Sequence, residues 1–257
     1  MRVAWRVKQW VEPLLYRTLV IGMDVMDGLP ACDMQTFNRI TQTKPPAFLA
    51  NAVRNVMLPN LYAYQVHAIL SACPGIENLY PLYAPPCNLT LPAFDVPSLR
   101  HLHCLPDDVF DLYSIDPFVH TMIAHITHLE LLDDLRASDP MREIPFGTRL
   151  SVLPHLTHLA LSLGHPRIWV CVQVLAECKC LRVLVVLCEQ KWQEEARHAG
   201  LEVLASDVRG VMMPFSLRNS VKDWQPGILT GNDYWARAEA LIAMRISGEV
   251  DRELSFV

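Results

Sequence analysis

At 257 residues, with 51% hydrophobic and 19% charged positions and a formal net charge of −5, the chain reads as an ordered globular protein of one or two domains. That balance excludes a disordered polymer, and the lack of a basic excess argues against a nucleic-acid partner. Lysines and arginines are scattered, no polybasic run points to a membrane surface, and no apolar stretch of about eighteen residues is long enough to span one.

The first segment, "MRVAWRVKQWVEPLLYRTLVI", has charges through its first half and no small-residue cleavage site, so it does not read as a signal peptide. Its pattern predicts a short helix through Trp10, a turn or second helix start near Pro13, and an opening strand between Leu15 and Ile21.

A repeat then sets in. The template L-x-x-L-x-L, with any apolar residue at its three anchors, matches at Val53-Val56-Leu58, Leu99-Leu102-Cys104, Ile126-Leu129-Leu131, Leu156-Leu159-Leu161 and Leu181-Leu184-Val186. Ile76-Leu79-Pro81 fits at two anchors, and a further weak copy starts at Leu201-Leu204. The first anchors of the six copies lie 23, 23, 27, 30 and 25 residues apart, the period of a leucine-rich repeat stretched in the middle. Between copies, "YQVHAILSACPG" puts Val66, Ile69, Leu70 and Cys73 on one helical face and stops at Pro74-Gly75. "DDVFDLYSIDPFVHTMIAHI" is interrupted by Pro117 and predicts two short pieces. "WVCVQVLAECK" places Val170, Val174, Leu175 and Cys178 at helical spacing.

The predicted fold class is therefore α/β: a leucine-rich-repeat-like solenoid, with a curved parallel sheet, helices on its convex side and a C-terminal capping helix. Its ninth positions, Leu61, Ala84, Asp107, Asp134, Gly164 and Glu189, cannot form an asparagine ladder, so irregular repeats are expected. The competing reading is a generic open α/β sheet. At the end of the chain, Asn232 or Asp233 predicts an N-cap for a helix from Tyr234 to about Ile246. That helix would pack Trp235, Ala238, Leu241 and Ile242 on one side and stop at Gly248.

The same frame sorts the histidines. Anchors at positions 1, 4 and 6 point inward, so positions 3 and 5 lie on the opposite pleat and line the concave face. Position 3 reads Asn55, Asn78, His101, His128, His158, Val183, and position 5 reads Met57, Tyr80, His103, Glu130, Ala160, Val185. With strands about 4.8 Å apart, His101, His128 and His158 would stack as a ladder. The two His-x-x-His motifs, His125/His128 and His155/His158, are poor ligand pairs, because residues three apart on a strand face opposite ways. A cross-strand metal site using His101, His103, His128, His158 and Glu130 is the sharper alternative; tolerated polar residues on a protein-binding face are the plainer one. Asn55, Met57, Asn78, Tyr80, His101, His103, His128, Glu130, His158, Val183 and Val185 are thus the candidate partner-binding residues.

Other chemistry is thin. Nucleophile-elbow, phosphate-loop, dinucleotide-binding and zincin motifs are all missing, and no nucleophile has an identifiable base, so no catalytic residue, metal or cofactor is assigned. The pairs Asp107/Asp108 and Asp133/Asp134 follow strands and read as turn or cap residues, or alternatively as a site for a cation or a basic peptide. The cysteines at 32, 73, 87, 104, 171, 178, 180 and 188 sit beside apolar residues without a C-x-x-C, as reduced, buried thiols of an intracellular protein would.

The phrases "WVEPLLYRTLVI", "CPGIENL", "LRHLHC", "THLEL", "LPHLTHLAL", "VLAECKCLRVLVVL" and "DYWARAEALIAMRISGEVD" resemble a large family of F-box-like proteins with degenerate leucine-rich repeats from mushroom-forming fungi. The resemblance spans almost the whole chain. It implies residues 1–22 as the tail of an F-box-like segment plus the opening strand, 23–213 as repeats and 214–257 as a capping segment. It further implies a protein partner held by the repeats, and a Skp-type adaptor of a cullin–RING ubiquitin ligase bound by the N-terminal unit. The Leu-Pro-x-Glu-Leu stretch that opens an F-box has no counterpart here, so Met1 falls inside the implied unit. The expected function is a non-enzymatic recognition module, cytoplasmic or nuclear, possessing either a ligase substrate-receptor role or that of a stand-alone scaffold.

Overall fold

Each described copy of the L-x-x-L-x-L template becomes a short parallel strand. The computed structural model describes residues 2–22, 31–59, 61–81, 96–104, 123–132, 146–163, 168–189, 204, 206–215, 223–224 and 227–251. They form two compact units, the first reaching Cys104 and taking in 123–126, the second starting at Thr127. The first unit contains α1 (Arg2–Leu15), β1 (Thr18–Ile21), β2 (Ala31–Cys32), α2 (Met34–Thr43), α3 (Pro46–Ala52), β3 (Asn55–Met57), α4 (Ala63–Ala72), β4 (Asn78–Tyr80) and β5 (His101–Cys104). Its strands run parallel in the order β2-β1-β3-β4-β5. The second contains β6 (His128–Leu131), α5 (Phe146–Ser151), β7 (His158–Leu163), α6 (Ile168–Glu177), β8 (Val183–Glu189), β9 (Gly210–Phe215) and α7 (Tyr234–Ser247), with parallel order β6-β7-β8-β9.

The register follows the repeat frame. Asn55 pairs with Asn78 and Asn78 with His101; His128 pairs with His158 and His158 with Val183. Every apolar anchor from Val53 to Val186 is at most 2% exposed. Each such side chain contributes roughly 1.5–3 kcal/mol of burial, which is why the anchors set the register. A recurrent backbone device accompanies them. The carbonyl just before β1, β3, β4, β6 and β7 accepts two N–H groups from the next rung: Arg17 from Arg54 and Asn55, Arg54 from Glu77 and Asn78, Glu77 from Arg100 and His101, Thr127 from Thr157 and His158, Thr157 from Arg182 and Val183. The turn entering each of these strands is thereby tied to its neighbour before the ladder begins.

The inter-repeat helices bury the faces that their spacing predicts: Val66, Ile69, Leu70 and Cys73 around α4, and Val170, Val174, Leu175 and Cys178 around α6. Pro74-Gly75 ends α4 because the chain passes close to another backbone. A Cβ on Gly75 would lie 2.1 Å from the Ala50 carbonyl oxygen and 2.4 Å from Arg54 Nη1. Arg54 donates there to the carbonyls of Ala50, Val53 and Gly75 at 3.1, 2.9 and 3.1 Å, satisfying helix-end acceptors that water cannot easily reach.

Several features depart from expectation. α1 continues through Pro13 to Leu15, since a proline near the end of a helix forfeits only one hydrogen bond. α2 and α3 were not anticipated; Asp33 caps α2 by accepting from the Thr36 N–H at 2.7 Å, and Pro46 opens α3 at the position where its missing N–H is harmless. β9 carries the strand pattern across the boundary expected at residue 213, and α7 shares a core with strands β7, β8 and β9. Among the described helices none is long and apolar enough to cross a membrane. The seven described cysteines are free thiols, and burial pushes Cys73 and Cys171 up to about 12 and Cys178 to about 11, far from the thiolate a nucleophile needs. The pieces expected around Pro117, the acidic pairs at 107–108 and 133–134 except for their flanking strands, and Cys87 lie outside the described residues.

Candidate functional site

In the second unit the face formed by positions 3 and 5 is occupied by the chain itself. α7 starts at Asp233, whose Oδ1 accepts from the Ala236 N–H at 2.9 Å, and ends at Gly248, which takes a left-handed φ of 78°. Between these caps Trp235, Ala238, Leu241 and Ile242 pack with Ala160, Val183, Val185, Leu187, Val211 and Met213 in one apolar cluster. Arg245, also buried, donates to the carbonyls of Gly210 at 2.7 Å and Val208 at 3.2 Å, which ties the last turn of α7 to the start of β9. Burial holds its guanidinium below the ordinary arginine range, though still a cation.

The open concave face expected from the sequence is therefore corrected. Val183, Val185, Glu130 and His158 are buried, His128 is half-buried, and α7 covers the apolar part of this face. The first unit is similar: Asn55, Met57, Tyr80 and His103 are buried, while Asn78 and His101 are half-buried. Asn55 Nδ2 donates to Thr18 Oγ1 at 3.1 Å, and the rings of Tyr80 and His103 lie 4.4 Å apart. Polar residues on these rungs are held by neighbouring protein groups, as burial requires.

Where α7 begins, it meets the histidine rungs. The rings of His128 and His158 stack 4.0 Å apart and 10° from parallel. Trp235 packs perpendicular to both, at 5.4 and 5.7 Å. Each imidazole has its Nδ1 against the hydroxyl of the threonine before it, 2.9 Å for Thr127–His128 and 2.8 Å for Thr157–His158. His158 Nε2 lies 3.0 Å from Glu239 Oε1, and the Tyr234 hydroxyl donates to Glu130 Oε2 at 2.6 Å. Burial drives His158 below its ordinary histidine range, against the opposing pull of Glu239.

Two chemical readings of this cluster can be weighed on geometry. Rings stacked face to face hold their nitrogen lone pairs in parallel planes, not aimed at one point, and among the described residues no group of three or more His, Cys, Asp or Glu is arranged to hold an ion. Thr157, His158 and Glu239 form a hydroxyl–imidazole–carboxylate line by distance. Its hydroxyl, however, also reaches the Thr127 carbonyl at 3.2 Å, and the N–H groups of Thr157 and His158 are committed to that same carbonyl, so these two amides do not serve as oxyanion donors. What the arrangement does is anchor α7.

His125 and His155, the first members of the two His-x-x-His motifs, are exposed in the turns ahead of the strands. The residues missed at this site are Thr127, Thr157, Glu239 and Arg245; Tyr234 is expected from the sequence as the first residue of the capping helix, without its bond to Glu130. The signal for the first two was the repeated Thr-His dipeptide, and for Glu239 its place one turn after Trp235.

A second surface belongs to the first unit. α1 carries Val7, Trp10, Val11 and Leu14 at i, i+3, i+4 and i+7, and all four are exposed, Trp10 by 70% and Leu14 by 63%. Leu15 extends the stripe, also exposed. Arg6, Lys8 and Gln9 are exposed as well; of the polar residues Glu12 is half-buried and pairs with Lys44, whose ammonium lies 5.6 Å from the Tyr16 ring centroid and 5.2 Å from that of Phe48. The hydrogen bond between them lowers the Glu12 carboxyl and raises the Lys44 ammonium relative to their ordinary ranges. Comparison with protein-family models, with curated proteins and with solved structures finds no match to this chain.

Proposed function

We propose that this chain is a non-enzymatic, intracellular protein-recognition module on an irregular leucine-rich-repeat-like solenoid, and that α1 docks it onto a Skp-type adaptor of a cullin–RING ubiquitin ligase. The observation that carries the reading is the exposed apolar stripe of α1. An amphipathic helix normally buries its apolar stripe; here Val7, Trp10, Val11 and Leu14 face outward while Glu12 is tied down by Lys44. Exposed tryptophan and leucine at helical spacing are the anchors with which a helix enters a partner's groove. The phrase "WVEPLLYR", on which the F-box resemblance rests, is the second half of this helix and the turn after it. The repeat period, the paired register and the two N–H groups on one carbonyl at these rungs support the solenoid reading. The free thiols accord with an intracellular setting.

The test is direct binding of the purified full chain to a recombinant Skp-type adaptor, followed by calorimetry. Association is expected, weakened at least about 30-fold in a Trp10→Ser/Leu14→Ser variant, the loss of a hot-spot pair worth about 2 kcal/mol or more. Both positions are exposed, so circular dichroism of the variant should match the parent. No association, or an affinity that the double substitution leaves unchanged, sinks the adaptor role and leaves a stand-alone scaffold.

A further inference from the structure

Two Thr-His dipeptides occupy neighbouring rungs beneath the first turns of α7, and the hydrogen bonds of His158 can be written for two protonation states without moving a heavy atom. With His158 neutral, the Thr157 hydroxyl donates to Nδ1 across 2.8 Å, and Nε2–H donates to Glu239 across 3.0 Å. With His158 protonated, Nδ1–H donates to the Thr157 oxygen, and that hydroxyl turns its proton to the Thr127 carbonyl 3.2 Å away. Hydrogen bonding thus does not separate the two states; what separates them is a charge on a buried ring stacked 4.0 Å from a second imidazole.

We propose that the stacked His128–His158 pair is an acid-sensitive latch: with both imidazoles neutral α7 stays seated on the strands, and protonation of the pair loosens its first two turns. This inference is independent of the adaptor reading, because it concerns the second unit alone.

The groups facing His158 come from every element around it. From α7 and its cap come Glu239 and Asp233, which favour the imidazolium, together with Trp235; Arg182, just ahead of β8, opposes it; and His128 faces it from β6, two residues before Glu130, whose carboxylate accepts from the Tyr234 hydroxyl. Glu239 is 58% exposed, so water screens much of its attraction, whereas His158 itself is buried. The balance falls against the charge, and burial is the largest contribution. A second proton on His128 would place two like charges in rings 4.0 Å apart.

The sign follows. A histidine held below its ordinary value in the seated state binds its proton more tightly once released, so the anchoring is complete above about pH 6.5 and weakens as pH falls below it. One proton sets a slope of at most about tenfold per pH unit, and uptake by both rings at most about a hundredfold.

Hydrogen–deuterium exchange of the full chain between pH 7.5 and 5.5, corrected for intrinsic exchange, reads this directly. Protection of residues 234–242 should fall below about pH 6.5 while that of β8 holds, and a His128→Gln/His158→Gln variant should show no such fall. Glu239→Gln, which keeps an acceptor for the His158 Nε2–H, should lose more protection than the parent between pH 7.5 and 5.5, because the counter-charge is gone. A fall that persists in the double-histidine variant, or protection in the parent that is flat with pH, overturns the proposal. Should the double variant not fold, side-chain NMR of the parent decides: His158 must titrate below the ordinary histidine value of about 6.5, and titration at or above it overturns the proposal equally.

Discussion

Trp235→Ala is the sharpest probe of how the second unit is held together. Trp235 sits at the start of α7, buried, perpendicular to both histidine rings and 4.6 Å from the Tyr234 ring. Truncating a buried tryptophan costs about 3–5 kcal/mol, because its transfer energy is lost and the cavity collapses only in part. Three ring contacts disappear with it, so the upper half of that range is expected here. Domains of this kind hold roughly 5–15 kcal/mol in total, so the unit would lose a large share of its stability. With a urea m-value of about 2 kcal/mol/M, the midpoint followed by far-UV circular dichroism should drop by about 2 M. Trp169→Ala supplies the internal comparison: Trp169 projects from α6 into solvent, and its loss should move the midpoint by no more than about 0.25 M. Equal shifts for the two variants would refute the seating of α7 on the strands.

Two further predictions test local devices. Gly75→Ala should destabilise the first unit by about 1–3 kcal/mol, read as a lowered thermal midpoint, because the new Cβ would meet the Ala50 carbonyl oxygen at 2.1 Å and backbone cannot give way as a side-chain tip can. Asp207 is held below its ordinary range, first by its hydrogen bonds with the Arg209 side chain at 2.6 and 2.9 Å. Its stabilisation is thus present above about pH 3.9 and lost as pH falls below it; Asp207→Asn should remove that part of the acid limb, by about 1 kcal/mol for a half-buried pair, in urea titrations at pH 6 and pH 3.

The repeat was legible in the sequence because its anchors obey a strict local pattern, and the cross-strand pairs followed from that pattern alone. β9 was not, for a reason visible at Gly210. That glycine pairs with the anchor Leu184, where the template demands an apolar side chain. The volume is filled instead by Leu204: a Cβ on Gly210 would lie 2.8 Å from Leu204 Cδ2, and Leu204 is completely buried. An anchor supplied from six positions away breaks the template while preserving the packing. α2 and α3 escaped notice differently, since their local caps, Asp33 and Pro46, lie in a stretch with no repeat to draw attention to them.

The candidate site failed on a different point: which side of a strand meets solvent. Alternation along a strand separates two faces but does not say what lies on either, and the residues that settle it are far away, Glu239 being 81 positions from His158 and Tyr234 104 from Glu130. One local signal did exist. β8 reads Val183-Leu184-Val185-Val186-Leu187-Cys188, apolar at every position, and all six are buried. A strand with one wet face alternates, whereas a continuous apolar run is covered on both sides. The second cover had to come from somewhere, and α7, with its stripe of Trp235, Ala238, Leu241 and Ile242, was the amphipathic helix at hand. Read that way, Val183 and Val185 mark the seat of an internal helix. The apolar stripe on α1, by contrast, is exposed among the described residues, and the proposed adaptor docking rests on it.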